Sequence, residues 1–101
     1  MKAAVSDSLG HSIYLTEERW QHIVDEHPEM KGWEQKALDT LRLGRRFQDS
    51  ARPDVFLYYR DFPDHPAGNT AIVVVVRVGF RPDGSANNFV LTAYRIFRVR
   101  S

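Results

Sequence analysis

The sequence predicts an α+β domain in which two N-terminal helices pack on one face of a three- to four-stranded antiparallel sheet. Helical apolar spacing is confined to residues 17–43, whereas β-branched and aromatic runs fill residues 54–97. The loops between those runs are short, and parallel strands need a crossover of a dozen or more residues. With 101 residues, the chain is expected to form one domain over 1–101.

The first helix has clear signals at both of its ends. Residues 1–10 are expected to be a flexible lead-in, and residues 11–15 a short strand or extended arm. Thr16 is a suitable N-cap, and two glutamates follow it where a helix dipole favours negative charge. Pro28 disfavours helical dihedrals at the residue before it, so the helix is predicted over 17–26.

A second helix and the start of the sheet follow. The apolar spacing predicts a helix over 33–43, and Gly44 is a natural place for it to stop. Residues 45–48 are interpreted as the beginning of the sheet. Residues 54–60 are predicted as a strand, and residues 61–69, which contain two prolines and a glycine, as a loop.

The strongest strand signal lies in residues 70–78, where four consecutive valines are typical of a central strand. Residues 81–85 read Arg-Pro-Asp-Gly-Ser and predict a turn, because proline and glycine each favour one of the required dihedrals. Residues 87–97 form the last predicted strand, and residues 96–101 are expected to end as a tail.

Composition excludes several classes of function. Cysteine is absent, so disulfides, thiolate catalysis and Cys-ligated zinc are excluded. Glycine-rich phosphate loops, His-Glu-x-x-His zinc helices and nucleophile elbows are missing too, and neither a metal nor a cofactor is expected. The sequence has no apolar stretch long enough to span a membrane and no recognisable signal peptide, so a cytoplasmic location is expected. The net charge of +1 does not by itself indicate nucleic-acid binding.

Histidine, arginine, tyrosine, threonine and carboxylates remain, and this set suits metal-free acid–base chemistry on a phosphodiester. RNA supplies its own nucleophile, the 2′-hydroxyl. The protein then needs a base, an acid for the leaving 5′-oxygen, and cations around the phosphorus.

Two histidines are candidates for the acid–base pair. His22 lies off the apolar stripe and one turn before Glu26, a spacing at which the carboxylate can orient the imidazole; the alternative is an ordinary exposed histidine. His27 falls at the helix C-terminus, where the dipole favours a cation, and the alternative is a half-buried structural residue. His11 and His65 are interpreted as surface residues.

The second half offers candidate substrate contacts on the strands. Alternation places Tyr58 and Arg60 on one face of their strand and Tyr59 on the other. Arg60 could neutralise a phosphate and a tyrosine could stack on a base. The alternative is an arginine whose stem covers the aromatic side chains.

The last two strands carry three more candidates. Thr92 and Tyr94 share a face, by alternation, with Asn88 and Val90. A hydroxyl there could bind a phosphate oxygen, although both residue types are ordinary strand formers. Arg77 interrupts an apolar strand, which indicates that its face of the sheet is not wholly core.

These residues resemble a known group of nucleases. The matching segments are Leu-Thr-Glu-Glu-Arg-Trp-Gln-His-Ile at 15–23, His-Pro-Glu at 27–29, Phe-Leu-Tyr-Tyr-Arg at 56–60 and Phe-Val-Leu-Thr-Ala-Tyr at 89–94. They are similar to small, phage-associated members of the barnase–EndoU–colicin–RelE-like nuclease superfamily. The resemblance covers roughly residues 13–95 and implies N-terminal helices on a four-stranded antiparallel sheet.

The resemblance also implies a function and a site. It implies a metal-independent endoribonuclease, often a toxin held by an antitoxin or immunity protein. The helix histidine would be His22 or His27, the sheet cation Arg60, and the last-strand hydroxyl Thr92.

Tyr58, Tyr59, Arg77 and Tyr94 are the expected substrate contacts. The alternatives are a non-enzymatic module that binds RNA or protein through the uncovered sheet face, and a small structural protein of a mobile element.

Overall fold

The structure, a computed structural model, describes residues 3–63 and 70–97. Within these residues, two α-helices, one 3₁₀ turn and six strands follow each other in sequence. They are β1 (Ala3–Ser6), β2 (Ser12–Leu15), α1 (Glu17–Glu26), the 3₁₀ turn (Pro28–Met30), α2 (Glu34–Leu43), β3 (Arg45–Gln48), β4 (Val55–Phe62), β5 (Thr70–Arg77) and β6 (Phe89–Phe97). Neither helix is long and apolar enough to cross a membrane.

The six strands form one curled sheet in the order β1-β2-β6-β5-β4-β3. Neighbouring strands are antiparallel except β2 and β6, which pair in parallel through Tyr14 and Phe89. The predicted antiparallel meander is therefore present as β3 to β6, with β5 in the interior of the sheet. The predicted count of three to four strands is wrong, because the N-terminal hairpin adds two.

The strand that the sequence prediction missed is β1, which lies in residues 1–10, predicted to be a flexible lead-in, whereas β2 coincides with the short strand or extended arm predicted over 11–15. β1 pairs with β2 from Ala3↔Leu15 to Ser6↔Ser12, and the Asp7 carboxylate that follows is only 2% exposed. Each strand of this hairpin has four residues, too few for an alternation pattern to be informative. A strand this short acquires its stability from tertiary partners, which the sequence does not display locally.

Local signals place both helices correctly. Thr16 caps α1 by accepting a hydrogen bond from the Arg19 backbone N–H, at 3.1 Å. Gly44 ends α2, but with an ordinary φ of −75° rather than a left-handed one. A Cβ at Gly44 would lie 2.7 Å from the Tyr59 carbonyl oxygen, so glycine is needed there for close approach of α2 to β4.

The two faces of the sheet differ in what covers them. The covered face packs against both helices and holds the main core, in which Ile23, Leu41 and Ile72 are almost fully buried. The second face carries a smaller apolar cluster whose described members all come from β4, β5 and β6. They are Val55, Leu57, Tyr59, Val73, Val75, Leu91 and Tyr94.

A buried polar network joins the N-terminal hairpin to β4 across the covered face. The Tyr58 hydroxyl donates to the Asp7 carboxylate at 2.6 Å and accepts from Arg46 Nε at 3.0 Å. The same carboxylate lies 3.0 Å from His11 Nδ1 and accepts from the backbone N–H groups of Leu9 and His11. His11, interpreted from the sequence as a surface residue, thus belongs partly to this network.

Candidate functional site

A β-bulge in β6 decides which side chains reach the second face. The register shifts between Val75 and Val76, so that Thr92 faces Val75 while Val90 faces Val76. Val90 therefore packs in the main core, and Thr92 and Tyr94 turn to the second face. The expectation that Thr92 and Tyr94 share a face with Val90 is wrong, because regular alternation was assumed through the bulge.

The C-terminus of α1 places one imidazole beside Tyr94. The His27 ring lies 5.9 Å from the Tyr94 ring, centroid to centroid. Its Nδ1 is 3.6 Å from the Glu29 carboxylate, and a third of its side chain is exposed. Because Pro28 ends the helix, His27 lies at the junction between α1 and the 3₁₀ turn, and that turn packs on β6.

His22 lies on the solvent side of the same helix. Its Nε2 is 2.8 Å from Glu26 Oε1, with both side chains about half exposed, at 54% and 53%. This is the predicted pairing one turn apart. His22 lines a shallow depression of about 370 Å³ together with Thr16, Glu18 and Arg19. His22 contacts Glu26 whereas His27 contacts Glu29 and Tyr94, so the two histidines have different partners, and no contact among the described residues joins them as an acid–base pair.

Arg60 and Thr92 lie on opposite faces of the sheet. Arg60 pairs with Ile72, which belongs to the main core, and its guanidinium lies 5.1 Å from the Phe62 ring. Thr92 pairs with Val75 of the second face, and its Oγ1 is buried with no hydrogen-bond partner among the described residues. The structure does not bring together the predicted sheet cation and hydroxyl.

The predicted substrate contacts separate in the same way. Tyr58 is 1% exposed and inaccessible to a substrate. Burial, and the Asp7 carboxylate it donates to, raise the pKa of Tyr58 to about 12, so the phenol keeps its proton. Tyr59, Tyr94 and Arg77 all lie on the second face, as alternation predicted for Tyr59 and Arg77. Tyr59 and Tyr94 both flank Val73, one on each neighbouring strand.

The sequence reasoning missed one cation at this site. Arg19, in the first turns of α1, donates from a terminal guanidinium nitrogen to the Leu91 carbonyl of β6 at 3.3 Å. Arg19, Ile23 and His27 are spaced by four residues and share one side of the helix. That spacing was a usable signal. Arg19 contacts β6 at Leu91 and His27 contacts it at Tyr94, so α1 places a guanidinium and an imidazole along the same strand.

Arg19 also borders open space on both sides. It lines the depression next to His22 and a second one, of about 200 Å³, with Tyr14, Thr16 and Phe89. A phosphate oxygen could reach the guanidinium from either side. Three or more histidine or carboxylate groups suited to holding a metal ion do not come together anywhere in residues 3–63 and 70–97.

Comparisons with known proteins give no further assignment. No protein-family model matches the chain, and neither a curated protein nor a solved structure matches it.

The predicted loop and tail contain three further charged or titratable residues that lie outside the described residues: His65, Arg98 and Arg100.

Proposed function

We propose that this protein is a metal-independent endoribonuclease that binds RNA on the second face and cleaves it beside β6. The observation that carries the proposal is the contact of His27 with Tyr94. It places an imidazole from the helix beside a phenol on the sheet face that also holds Tyr59. An imidazole next to aromatic rings that could stack on bases is a suitable arrangement for acid–base chemistry on a single strand.

The proposed reaction is an internal transesterification. His27 accepts the proton of a 2′-hydroxyl, and the 2′-oxygen forms a bond to the adjacent phosphorus. The bond from phosphorus to the 5′-oxygen breaks, and that oxygen takes up a proton from the Tyr94 phenol. The products are a 2′,3′-cyclic phosphate and a 5′-hydroxyl. Proton transfer then returns His27 and Tyr94 to their starting forms through solvent.

Arg19 is the cation proposed to stabilise the phosphorane, in place of Arg60. Its guanidinium contacts the edge of β6 at the Leu91 carbonyl, and a guanidinium has five N–H donors, so four are left for phosphate oxygens as far as the described residues show. Arg60 is directed to the helix-covered face and does not share a pocket with the last-strand hydroxyl. The proposed site therefore consists of His27, Tyr94 and Arg19, with Thr92 between them on β6.

The toxin role and the antitoxin or immunity partner belong to the same proposal, as does membership of the nuclease superfamily that the sequence resembles. A toxin of this kind arrests growth when it is induced without its partner. Induction of the parent chain in a bacterium is expected to stop growth, whereas induction of the His27→Ala variant is not.

A second candidate function, binding of RNA or protein without cleavage, is favoured by two observations. Arg60 and Thr92 lie on opposite faces, and the second face carries an exposed Phe47, at 51%, which pairs with Leu57. An exposed aromatic ring beside an aliphatic residue suits a macromolecular contact whether or not chemistry follows.

Cleavage of a labelled RNA by the purified protein, in the presence of a chelator, tests the first candidate against the second. The parent is expected to cut RNA but not the same sequence as DNA, which lacks the 2′-hydroxyl. His27→Ala is expected to lose about 10²- to 10⁴-fold in rate, the usual contribution of a general base. His22→Ala is the matched control, an exposed histidine on the same helix, and it is expected to cleave at the parental rate.

Two results would decide against the proposed site. Parental cleavage by His27→Ala, with loss in His22→Ala, would move the catalytic base to the solvent side of α1. Binding of RNA with no cleavage by the parent or by any variant would reject the nuclease and support the second candidate function, binding without cleavage.

A further inference from the structure

A depression of about 430 Å³ lies at the far end of the second face from His27. The rings of Phe80 and Phe89 line it, together with Asn87 and the exposed ion pair of Asp54 and Arg77. Arg77 of β5 pairs with Val55 of β4 on one side and with Phe89 of β6 on the other. The depression is thus continuous with the surface proposed to hold RNA.

The segment between β5 and β6 holds Phe80 in an ordered, exposed position. Phe80 bridges Ala86, the Gly84 N–H donates to the Arg81 carbonyl, and the Asn87 N–H donates to the Gly79 carbonyl. The Phe80 side chain is nevertheless 79% exposed, the largest exposure among the described large apolar residues. A largely exposed ring carried on a hydrogen-bonded turn suits stacking of a planar group.

The ion pair supplies a polar edge beside these rings. Arg77 Nε donates to Asp54 Oδ2 at 3.1 Å, with the side chains 58% and 48% exposed. The pair presents carboxylate acceptors next to the remaining guanidinium N–H donors. Guanine carries the complementary edge, with N1–H and N2–H donors next to the O6 acceptor. Adenine would place its N1 acceptor towards the carboxylate, and uracil and cytosine would have a smaller stacking area.

We propose that this depression is a guanine subsite, which reads one base of the RNA bound on the second face. The inference rests on the proposed function in one respect, that the ligand of this face is RNA. Phe80 and Phe89 stack on the base, the Asp54 carboxylate accepts from N1–H and N2–H, and Arg77 donates to O6.

The position of the subsite sets its distance from the cleavage site. Phe89 pairs with Arg77 and Tyr94 with Val73, and these partners are four residues apart on β5, so the two rings are separated by roughly 13 Å along the strands at the usual strand rise. Stacked bases rise about 3.4 Å per nucleotide, so several nucleotides separate the two points. The guanine is therefore outside the pair of nucleotides whose bond is cut, and it selects the site rather than taking part in the reaction.

Fluorescence anisotropy with 2′-O-methylated hexanucleotides tests the subsite without cleavage. The probes are oligo-U and three single-substituted forms that carry one G, A or C at the third position. The parent is expected to bind the G form at least about tenfold more tightly than the others, the equivalent of one good bidentate contact. Asp54→Asn replaces one acceptor by a donor, and it is expected to bring the four affinities within about twofold of each other.

Two further variants separate recognition from folding. Asp83→Asn is the control, because Asp83 is an exposed carboxylate in the neighbouring turn that bonds only to Ser85 among the contacts described. It is expected to keep the guanine preference. Phe80→Ala is expected to weaken binding of the G form by about tenfold, as loss of one stacking partner does. Equal affinity of the parent for all four probes, or an unchanged preference in Asp54→Asn, overturns the proposal.

The outcomes also separate this inference from the proposed cleavage. A guanine preference in a protein that cuts no RNA sustains the subsite and rejects the nuclease. Cleavage of RNA with no preference among the four probes sustains the nuclease and rejects the subsite.

Discussion

Asp7 is a buried carboxylate that accepts hydrogen bonds from both the N-terminal hairpin and β4. Burial alone would raise the pKa of Asp7, but hydrogen bonds from Tyr58, from the backbone of His11 and Leu9 and from the His11 ring together lower it below its ordinary value of 3.8. A carboxylate with a lowered pKa stabilises the folded state above its unfolded pKa. That stabilisation is lost as the pH falls through the folded-state pKa.

Tyr58→Phe tests this network at a single atom. The variant keeps the ring in the core but removes the donor that faces the buried Asp7 carboxylate, so the free energy of unfolding at pH 7 is expected to fall by about 1–3 kcal/mol. The deficit is expected to shrink on acidification below about pH 4, because protonation of Asp7 removes the charge that the hydroxyl stabilises. Urea unfolding at several pH values measures both effects.

Tyr59→Phe is the matched control for that experiment. Tyr59 is the next residue, and its hydroxyl donates to the exposed Asp61 at 2.9 Å on the other side of the strand. Its removal is expected to change the free energy of unfolding by no more than about 0.5 kcal/mol. An equal loss of unfolding free energy in both variants would show that removing either phenol hydroxyl destabilises the protein, and that the effect of Tyr58→Phe does not depend on Asp7.

At the scale of the elements, periodicity predicted both helices and the order of β4, β5 and β6, because each is defined by residues that are neighbours in sequence. It predicted the faces of Tyr59 and Arg77 for the same reason. It misplaced Thr92 and Tyr94 relative to Val90, since one extra residue in a bulge reverses every later side chain and leaves no mark in the composition. The candidate site depends on that single irregularity.

Gly44→Ala tests the junction between α2 and β3. A methyl group there would press on the carbonyl groups of Thr40 and Tyr59, and neither of these backbone positions can yield without moving the helix or β4. The variant is expected to lose about 1–3 kcal/mol of stability, the usual cost of overpacking. Gly79→Ala is the control, since its Cβ would have no neighbour nearer than 3.9 Å and Gly79 has no left-handed φ. Thermal or denaturant unfolding of the two variants gives the comparison, and a Gly44→Ala protein as stable as Gly79→Ala would contradict it.

At the scale of the whole molecule, the six-stranded sheet is completed by contacts between distant parts of the chain. β2 joins β6 through residues more than seventy positions apart, and Asp7 reaches Tyr58 across fifty-one. No local pattern in four-residue strands could predict such partners. The sequence therefore predicted the meander and the helices that pack on it, but not the hairpin that extends the sheet beyond β6.

Deletion of residues 1–10 tests whether that hairpin is integral to the fold. The deletion removes Asp7, leaves the buried Tyr58 hydroxyl without its acceptor, and exposes core that Ala3 and Val5 pack against. The combined loss is expected to be at least about 3 kcal/mol, from one buried hydrogen-bonded carboxylate and the burial of small apolar side chains. For a domain of this size, that corresponds to a melting temperature lower by roughly 12 °C or more. Asp7→Asn, which keeps β1, is expected to show only part of this decrease. A truncated protein that melts within about 2 °C of the parent would restore the interpretation of residues 1–10 as a dispensable lead-in.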